Sequence, residues 1–368
     1  MRRPLILVLN PGSTSTKLAL FRGPGLESEW THWHLEESDD FSKPMNRIAA
    51  ARVPDILADI QEKGYRPGDI DLVVARGGLL KPLKGGVYRV SEKMVGDLAE
   101  CAYGRHASNL GAIMAWKIAG DHGKKSFIVN PVVVDELSAV AKVSGHPEIP
   151  RRSIFHALSQ KAVAQKACAK IGKPYSKARL IVVHAGGGVS VGAHLRGRVV
   201  DVNNALEGEG TFTPERTGGL PLLDFLRFIN GKGLNFKQAQ ALVSKNSGIQ
   251  AYLGTRDCRE IENRIRSGDS KARLIYRAFV YQVAKDIGAL AASVFKGRLD
   301  AIVLTGGIAG GAMFRRWIRE RVNFIASVYA YPKTSEMEAL ASGGWQVWTN
   351  KVRPGRYNQA AAGRSQSS

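Results

Sequence analysis

The sequence predicts an α/β fold built as two domains, and three observations lead there. Over 368 residues, a length that suggests two domains, apolar runs of strand length alternate with helical patterns. Several runs are continuously apolar, as in sheets covered on both faces. The stretch LILVLNPGSTSTKLALF at 5–21 has an echo, LIVVHAGGGVSVGAHL at 180–195. Each is an apolar strand, a glycine/hydroxyl turn and a second strand. The architecture therefore reads as duplicated, each half offering one tight turn to a shared cleft.

In chain order, strands are expected at Leu5–Leu9, Lys17–Phe21, Asp71–Ala75, Ser126–Val129, Leu180–His184, Ser190–His194 and Ala301–Leu304. A helix is expected at Ala107–Ala119, its end signalled by Gly120, and another at His156–Ile171. The clearest periodicity is KARLIYRAFVYQVAKDIGALAASVFK at 271–296, where Leu274, Ala278, Val283, Ile287, Leu290 and Val294 fall mostly on one face. A third strand-to-glycine junction, AIVLTGGIAGG, occupies 301–311 and leads into a helix. The small, polar residues after Gln359 are expected to fray.

Composition narrows the function classes. The chain is 44% hydrophobic and 23% charged, an ordinary globular balance. No apolar run reaches membrane-spanning length, and the opening run is too short for a signal peptide core. Cys101, Cys168 and Cys258 are widely spaced with no CxxC pair, which fits a reducing cytoplasm and no zinc or disulfide framework. The net charge of +21 favours anionic partners. Residues 151–179 carry eight Lys/Arg and no Asp/Glu, and read as a helix with a basic, solvated outer face. No RNP, KH or zinc-finger signature accompanies the charge, so no specific nucleic-acid partner is expected.

The turns suit phosphate. At 10–17 there is neither a Walker A loop nor a Rossmann fingerprint. Gly12 nevertheless permits close backbone approach to an anion, Ser13, Thr14, Ser15 and Thr16 bring hydroxyl donors, and Lys17 adds a charge. A plain β-hairpin would use similar residues. The second turn, His184 followed by Gly186, Gly187 and Gly188, carries an entropic cost that structure alone seldom needs. At the third, Thr305-Gly306-Gly307 before a helix places backbone where a nucleotide could sit.

Taken together, the motifs resemble the acetate kinase family of the sugar kinase/Hsp70/actin superfamily, and within it the butyrate kinase branch. The resemblance runs from about Leu5 to Ala341. It rests on VLNPGSTSTK, RGGLLKP at 76–82, GGVYRV at 85–90, RHASNLGA at 105–112, PVVVDEL at 131–137, SGHPEIPRRSIFHAL at 144–158, VDVNNALEGEG at 200–210, FTPER at 212–216, YLGTRDCRE at 252–260 and LTGGIA at 304–309. The resemblance implies two copies of a ribonuclease H-like (actin-like ATPase) fold around a central cleft. It implies domains at 1–154 plus 338–368 and at 155–337, the second binding nucleotide. The implied reaction is reversible transfer of the ATP γ-phosphate to a short-chain fatty acid, butyrate foremost, with Mg²⁺. A cytoplasmic homo-oligomer of two or more copies is implied as well.

Carried over by position, Arg76 would bind the substrate carboxylate, and His156 and Arg216 would stabilise the transition state. His184 to Gly188 would form a phosphate turn. Asn10, Gly12, Ser13, Ser15 and Lys17 would meet ATP phosphates. Asp257, Cys258 and Arg259, with Gly306, Gly307, Gly310 and Gly311, would border the nucleotide. Asn10 and Glu336 would support the metal. The sequence departs from the family at Asn130, where an aspartate is usual and catalytic, and at Glu336-Met337, where paired acids are usual. These changes remove cleft charge and leave a second expectation open, a nucleotide- or acyl-phosphate-binding homologue with weakened catalysis.

Overall fold

The computed structural model describes residues 2–34, 43–332 and 334–357. They fall into two compact units, one reaching Val134 and resuming at Ser335, the other spanning Asp135–Thr334. The expected fraying after Gln359 lies outside the described residues.

The first unit holds strands β1 (Leu5–Pro11), β2 (Ser15–Arg22), β3 (Gly25–Trp33), β4 (Leu72–Arg76), β5 (Val87–Arg89) and β6 (Lys125–Val129) in one sheet of order β3-β2-β1-β4-β6-β5. β1, β2 and β3 form an antiparallel meander, β4 and β6 join in parallel, and β5 runs antiparallel to β6. Helices α1 (Met45–Glu62), α2 (Glu92–Ala99) and α3 (Asn109–Gly120) share a core with Leu5, Leu7 and Leu9 of β1. The returning helix α12 (Glu336–Trp348) covers the opposite face, where Gly344 abuts Ile6 and Val74. Burial on both faces explains why all seven residues of β1 are buried and why its sequence reads as a continuous apolar run.

The second unit repeats the topology. Its sheet contains β7 (Arg179–Ala185), β8 (Val189–Leu195), β9 (Arg198–Val202), β10 (Ala301–Thr305) and β11 (Val328–Tyr331) in the order β11-β10-β7-β8-β9. Again three consecutive antiparallel strands are followed by two parallel additions. The echo at 180–195 is therefore a repeat of fold as well as of sequence pattern. The small helix α4 (Ala139–Lys142) precedes α5 (Ala157–Lys170). Val163, Ala164 and Ala167 of α5 pack on Leu180, Val182 and Val303. The other sheet face carries α8 (Gly248–Leu253), α9 (Cys258–Arg266), α10 (Ser270–Ser293) and α11 (Ala312–Val322). Helices α6 (Leu222–Gly231) and α7 (Phe236–Ser244) lie between β9 and α8 in the chain.

Four sequence expectations need correction. Residues 135–154 belong with the second unit, because Ser138 donates to the Val200 carbonyl, Glu136 pairs with Lys161, and Arg151 pairs with Asp201 and Glu209. Residues 335–337 belong with the first, because α12 packs on its sheet. The long helix buries Tyr276, Phe279, Val280, Val283 and Ile287, a face rotated from the expected one, and leaves Leu274 exposed. The basic face at 151–179 is not wholly solvated, since Lys161 is buried against Glu136.

Candidate active site

In the first unit the NPGSTSTK segment is a β-hairpin with Asn10 opposite Lys17 and Pro11 opposite Thr16. The Gly12 amide closes the turn on the Ser15 carbonyl at 2.7 Å. Buried Arg52 of α1 donates to the Gly12 and Ser13 carbonyls at 3.0 and 2.6 Å, fixing the turn from behind. The four hydroxyls are not equivalent. Thr16 is buried against His34, whereas Ser13 and Thr14 are exposed and Ser15 is partly so. Lys17 is exposed as well. Asn10 Nδ2 donates to Glu336 Oε2 at 2.8 Å, and Arg76 Nη1 lies 3.7 Å from the same oxygen. The fold thus joins three predicted site residues that are distant in sequence.

The RGGLLKP and SNLGA motifs explain how Arg76 is placed. A Cβ on Gly78 would sit 2.5 Å from Asn109 Oδ1, and one on Gly111 would collide with the Arg76 carbonyl. The glycines let α3 approach the end of β4, and Asn109 Oδ1 then accepts from the Leu79 amide. Asn130 sits at φ +39°, a left-handed conformation that asparagine tolerates better than most residues. Its Oδ1 accepts from the Gly86 amide at 2.8 Å, and its own amide returns to the Gly86 carbonyl. Met337, in the first turn of α12, is buried.

In the second unit His156 and His184 stack with ring centroids 3.8 Å apart and planes within 6°. His156 stands at the N-terminal end of α5, and His184 near the end of β7. Arg216 closes on the same glycine turn. A Cβ on Gly188 would lie 3.2 Å from both Arg216 Cζ and His156 Cε1, and nearer still to Arg216 Nη1. Arg216 is held by the Ala205 and Ser244 carbonyls. Burial lowers its pKa from the ordinary arginine value, an effect Glu215 opposes from 3.7 Å.

Behind His156 runs a hydrogen-bond chain that the sequence reading did not identify. His156 Nδ1 lies 2.9 Å from Ser190 Oγ, Gln160 Nε2 donates to Ser190 Oγ, His194 Nε2 meets Gln160 Oε1, and Tyr175 Oη meets His194 Nδ1. The direction of the chain follows from Gln160. Its Nε2 also faces the Ser190 backbone carbonyl at 3.0 Å, which can only accept, so the amide orientation is settled. Gln160 Oε1 therefore receives a proton from His194 Nε2, and His194 Nδ1 accepts from Tyr175. Ser190 Oγ accepts from Gln160 and lies within hydrogen-bond reach of His156 Nδ1, which orients the His156 ring. Burial keeps His194 neutral and raises the Tyr175 phenol, consistent with these assignments. The available signal was in the echo itself, where Ser190 and His194 alternate with Val191 and Ala193 along β8.

The third group is split. Asp257 caps α9 and pairs with Arg259, which holds its carboxyl down at about 2. Both are exposed or nearly so. Cys258 instead packs on the core, and burial pushes its thiol up to about 12. Gly306 and Gly307 follow β10, and nothing stands within 4 Å of a Cβ built on Gly307. Gly310 is open apart from Pro332. The side-chain face of Gly311 is occupied by Glu262, whose carboxylate also accepts from the Phe314 amide in the first turn of α11. Gly311 thus makes room for an internal cap, a role its motif does not reveal.

The sequence matches the Acetokinase family over residues 139–332. It is 44% identical to Butyrate kinase 2 of Clostridium acetobutylicum over 96% of this chain and 99% of the relative. It is 45% identical to a probable butyrate kinase of Listeria welshimeri over 93% and 96%. The chain belongs to the Acetokinase family. The fold agrees: the crystal structure of Porphyromonas gingivalis acetate kinase superposes with a TM-score of 0.76 at 21% identity, covering 94% of this chain and all of that one. For an Acetokinase-family chain, the placement of Arg76, His156, His184 and Arg216 at strand ends and beside glycine turns is the arrangement that needs explaining chemically.

Proposed function

We propose that this chain transfers the γ-phosphate of ATP to the carboxylate of a short-chain fatty acid, butyrate among them, giving an acyl phosphate and ADP reversibly. Membership of the Acetokinase family makes it a phosphotransferase acting on a carboxylate. The observation that carries the assignment to butyrate is the near full-length similarity to Butyrate kinase 2. The geometry of the second unit supports it, with Arg216 and two stacked imidazoles gathered at a three-glycine turn.

Phosphoryl transfer is mainly positioning and charge stabilisation. In this reading Arg216 and the His156 imidazole donate to phosphoryl oxygens as charge gathers there, each worth roughly 3 kcal/mol. His184 and Gly186 to Gly188 receive phosphate. Asp257 and Arg259, with Gly306 packed on the Ala185 backbone and the open faces of Gly307 and Gly310, border the nucleotide. The Ser13 and Ser15 hydroxyls, the Gly12 turn and Lys17 meet phosphate in the first unit, and Arg76 grips the carboxylate. No base is required, because a carboxylic acid with a pKa near 4.3 is ionised at neutral pH. The uncharged Asn130 is therefore compatible with turnover, acting as a positioning residue through Gly86. No observation favours a homologue that has lost catalysis.

Magnesium fits the donors present. One carboxylate, Glu336, with the Asn10 amide oxygen, suits an ion that draws most of its ligands from phosphates and water. Bound there, the ion would neutralise phosphate charge. A homo-oligomer is supported by α6 and its flanks, where Leu222, Leu223, Leu226, Phe228 and Phe236 are all exposed. No helix among the described residues is long and apolar enough to cross a membrane. The proposed use of ATP supports the cytoplasm as the site of action.

The test is ADP release by the purified chain with acetate, propionate, butyrate and isobutyrate at millimolar Mg²⁺. Turnover is expected with several, since one methylene is worth only ~1–3 kcal/mol. Absence of turnover with all four overturns the proposal.

A further inference from the structure

Away from the residues assigned above, the end of β3 meets α1 through an unusual set of side chains. Trp30 Nε1 donates to Asp59 Oδ2 at 2.8 Å, and His32 Nδ1 lies 2.9 Å from the same oxygen. One ligand atom from each of His32, His34 and Asp55 lies within 4.8 Å of the others. We propose that His32, His34 and Asp55 form a binding site for a divalent transition-metal ion of the zinc class, with one coordination position left to water.

Both rings are prepared for this. Asp59 engages His32 Nδ1, which leaves Nε2 on the side of Asp55, 3.9 Å from Asp55 Oδ2. Thr16 Oγ1 engages His34 Nε2 at 2.8 Å, which leaves Nδ1. That nitrogen is buried and has no hydrogen-bond partner, although His34 as a whole is only 9% exposed. In each ring, then, one nitrogen is held by an outer oxygen and the other is available. This is the arrangement by which carboxylates and hydroxyls orient metal-ligating histidines.

Two imidazoles and one carboxylate select zinc-like ions, whereas magnesium prefers all-oxygen sites. The site is therefore distinct in chemistry from the one proposed at Glu336. The Arg52 guanidinium opposes a cation at His34, and the Asp59 carboxylate works against it. A bound ion would clamp β3 to α1. It would also brace the glycine turn, because the His34 amide donates to the Thr14 carbonyl and its ring holds Thr16.

The experiment uses the full chain, stripped with chelator and free of nucleotide, titrated with zinc chloride by calorimetry and with cobalt(II) by visible absorption. One tight zinc site and the d–d bands of a low-coordinate cobalt complex are expected. Asp55→Asn, at an exposed position, should leave the circular dichroism unchanged and weaken zinc binding at least about tenfold. Asp59→Asn should weaken it by about 10–100-fold through His32. No stoichiometric zinc in the wild type, or zinc binding that is indifferent to both Asp55→Asn and His32→Gln, overturns the proposal.

Discussion

Gly188→Ala is a one-methyl perturbation whose consequence can be worked from the coordinates. The new Cβ would stand 3.2 Å from Arg216 Cζ and from His156 Cε1, and Arg216 Nη1 is closer still. Relaxed contacts lie at roughly 3.5–4.0 Å. The guanidinium cannot yield freely, because the Ala205 carbonyl accepts from Nη1 at 2.7 Å and the Ser244 carbonyl from Nε at 3.3 Å. A retreat of about 1 Å is required, a misplacement that can cost about a hundredfold in rate, or ~2.7 kcal/mol of transition-state stabilisation. Overpacking by one methyl costs ~1–3 kcal/mol of stability, so the variant should remain folded at assay temperature. The assay traps acyl phosphate with hydroxylamine and reads kcat and both KM values, with thermal unfolding beside it. A fall of about a hundredfold concentrated in kcat is expected, because Arg216 is assigned to the transition state. If kcat stays within threefold of wild type while the melting temperature drops, Arg216 is not at the reacting phosphate.

Three further outcomes are expected. Ser190→Ala removes the hydroxyl that orients the His156 ring while Gln160 keeps the backbone carbonyl of that residue; kcat should fall severalfold with KM for ATP unchanged, and an unaltered kcat would detach the hydrogen-bond chain from catalysis. Arg76→Lys should raise KM for the acid at least tenfold through loss of the bidentate fork, with KM for ATP within about twofold, and equal changes in both would argue against a carboxylate site there. Asp286 is pushed up to about 6 by burial although the Thr211 amide donates to it, so its contribution to stability is full at low pH and is lost as pH rises through about 6. Asp286→Asn should therefore raise the melting temperature at pH 8, by up to ~3 kcal/mol in equivalent free energy, and leave it unchanged near pH 4; a gain of equal size at both values would show that the carboxylate charge is not the cause.

The duplicated framework was legible because its signal is local. β1, β2, β7, β8 and β10 are apolar runs buried on both faces, and a strand so enclosed admits few other residues. β3 was missed because it lies at the edge of the sheet with most of its side chains partly or fully exposed, so GLESEWTHW alternates weakly. α1 was missed because Pro54 interrupts its pattern, although the helix continues through it. The long helix was found but rotated, because spacing identifies a face only to within a residue or two and Tyr276 and Phe279, not Leu274, meet the sheet. At the candidate site, His184 stood out by its glycine neighbours, whereas Arg76 was picked out only through the family resemblance. Glu262, Gln160 and Arg52 did not stand out, since each acts through a contact made far along the chain.

That difference bears on how motifs should be weighed. The glycines of RGGLLKP, SNLGA and LTGGIAGG look alike in sequence, yet they answer different demands. Gly78 and Gly111 admit a helix to a strand end, Gly311 admits the Glu262 carboxylate, and Gly307 faces open space. Only the last has no neighbouring protein atom to account for it, so a substitution there isolates the ligand. The same reasoning applies to Asn130, whose left-handed backbone and bond from the Gly86 amide are structural demands. An aspartate could accept the same hydrogen bond from Gly86, so the fold permits either side chain. In the proposed reaction the substrate acid is already ionised, so neither side chain would have a proton to move there.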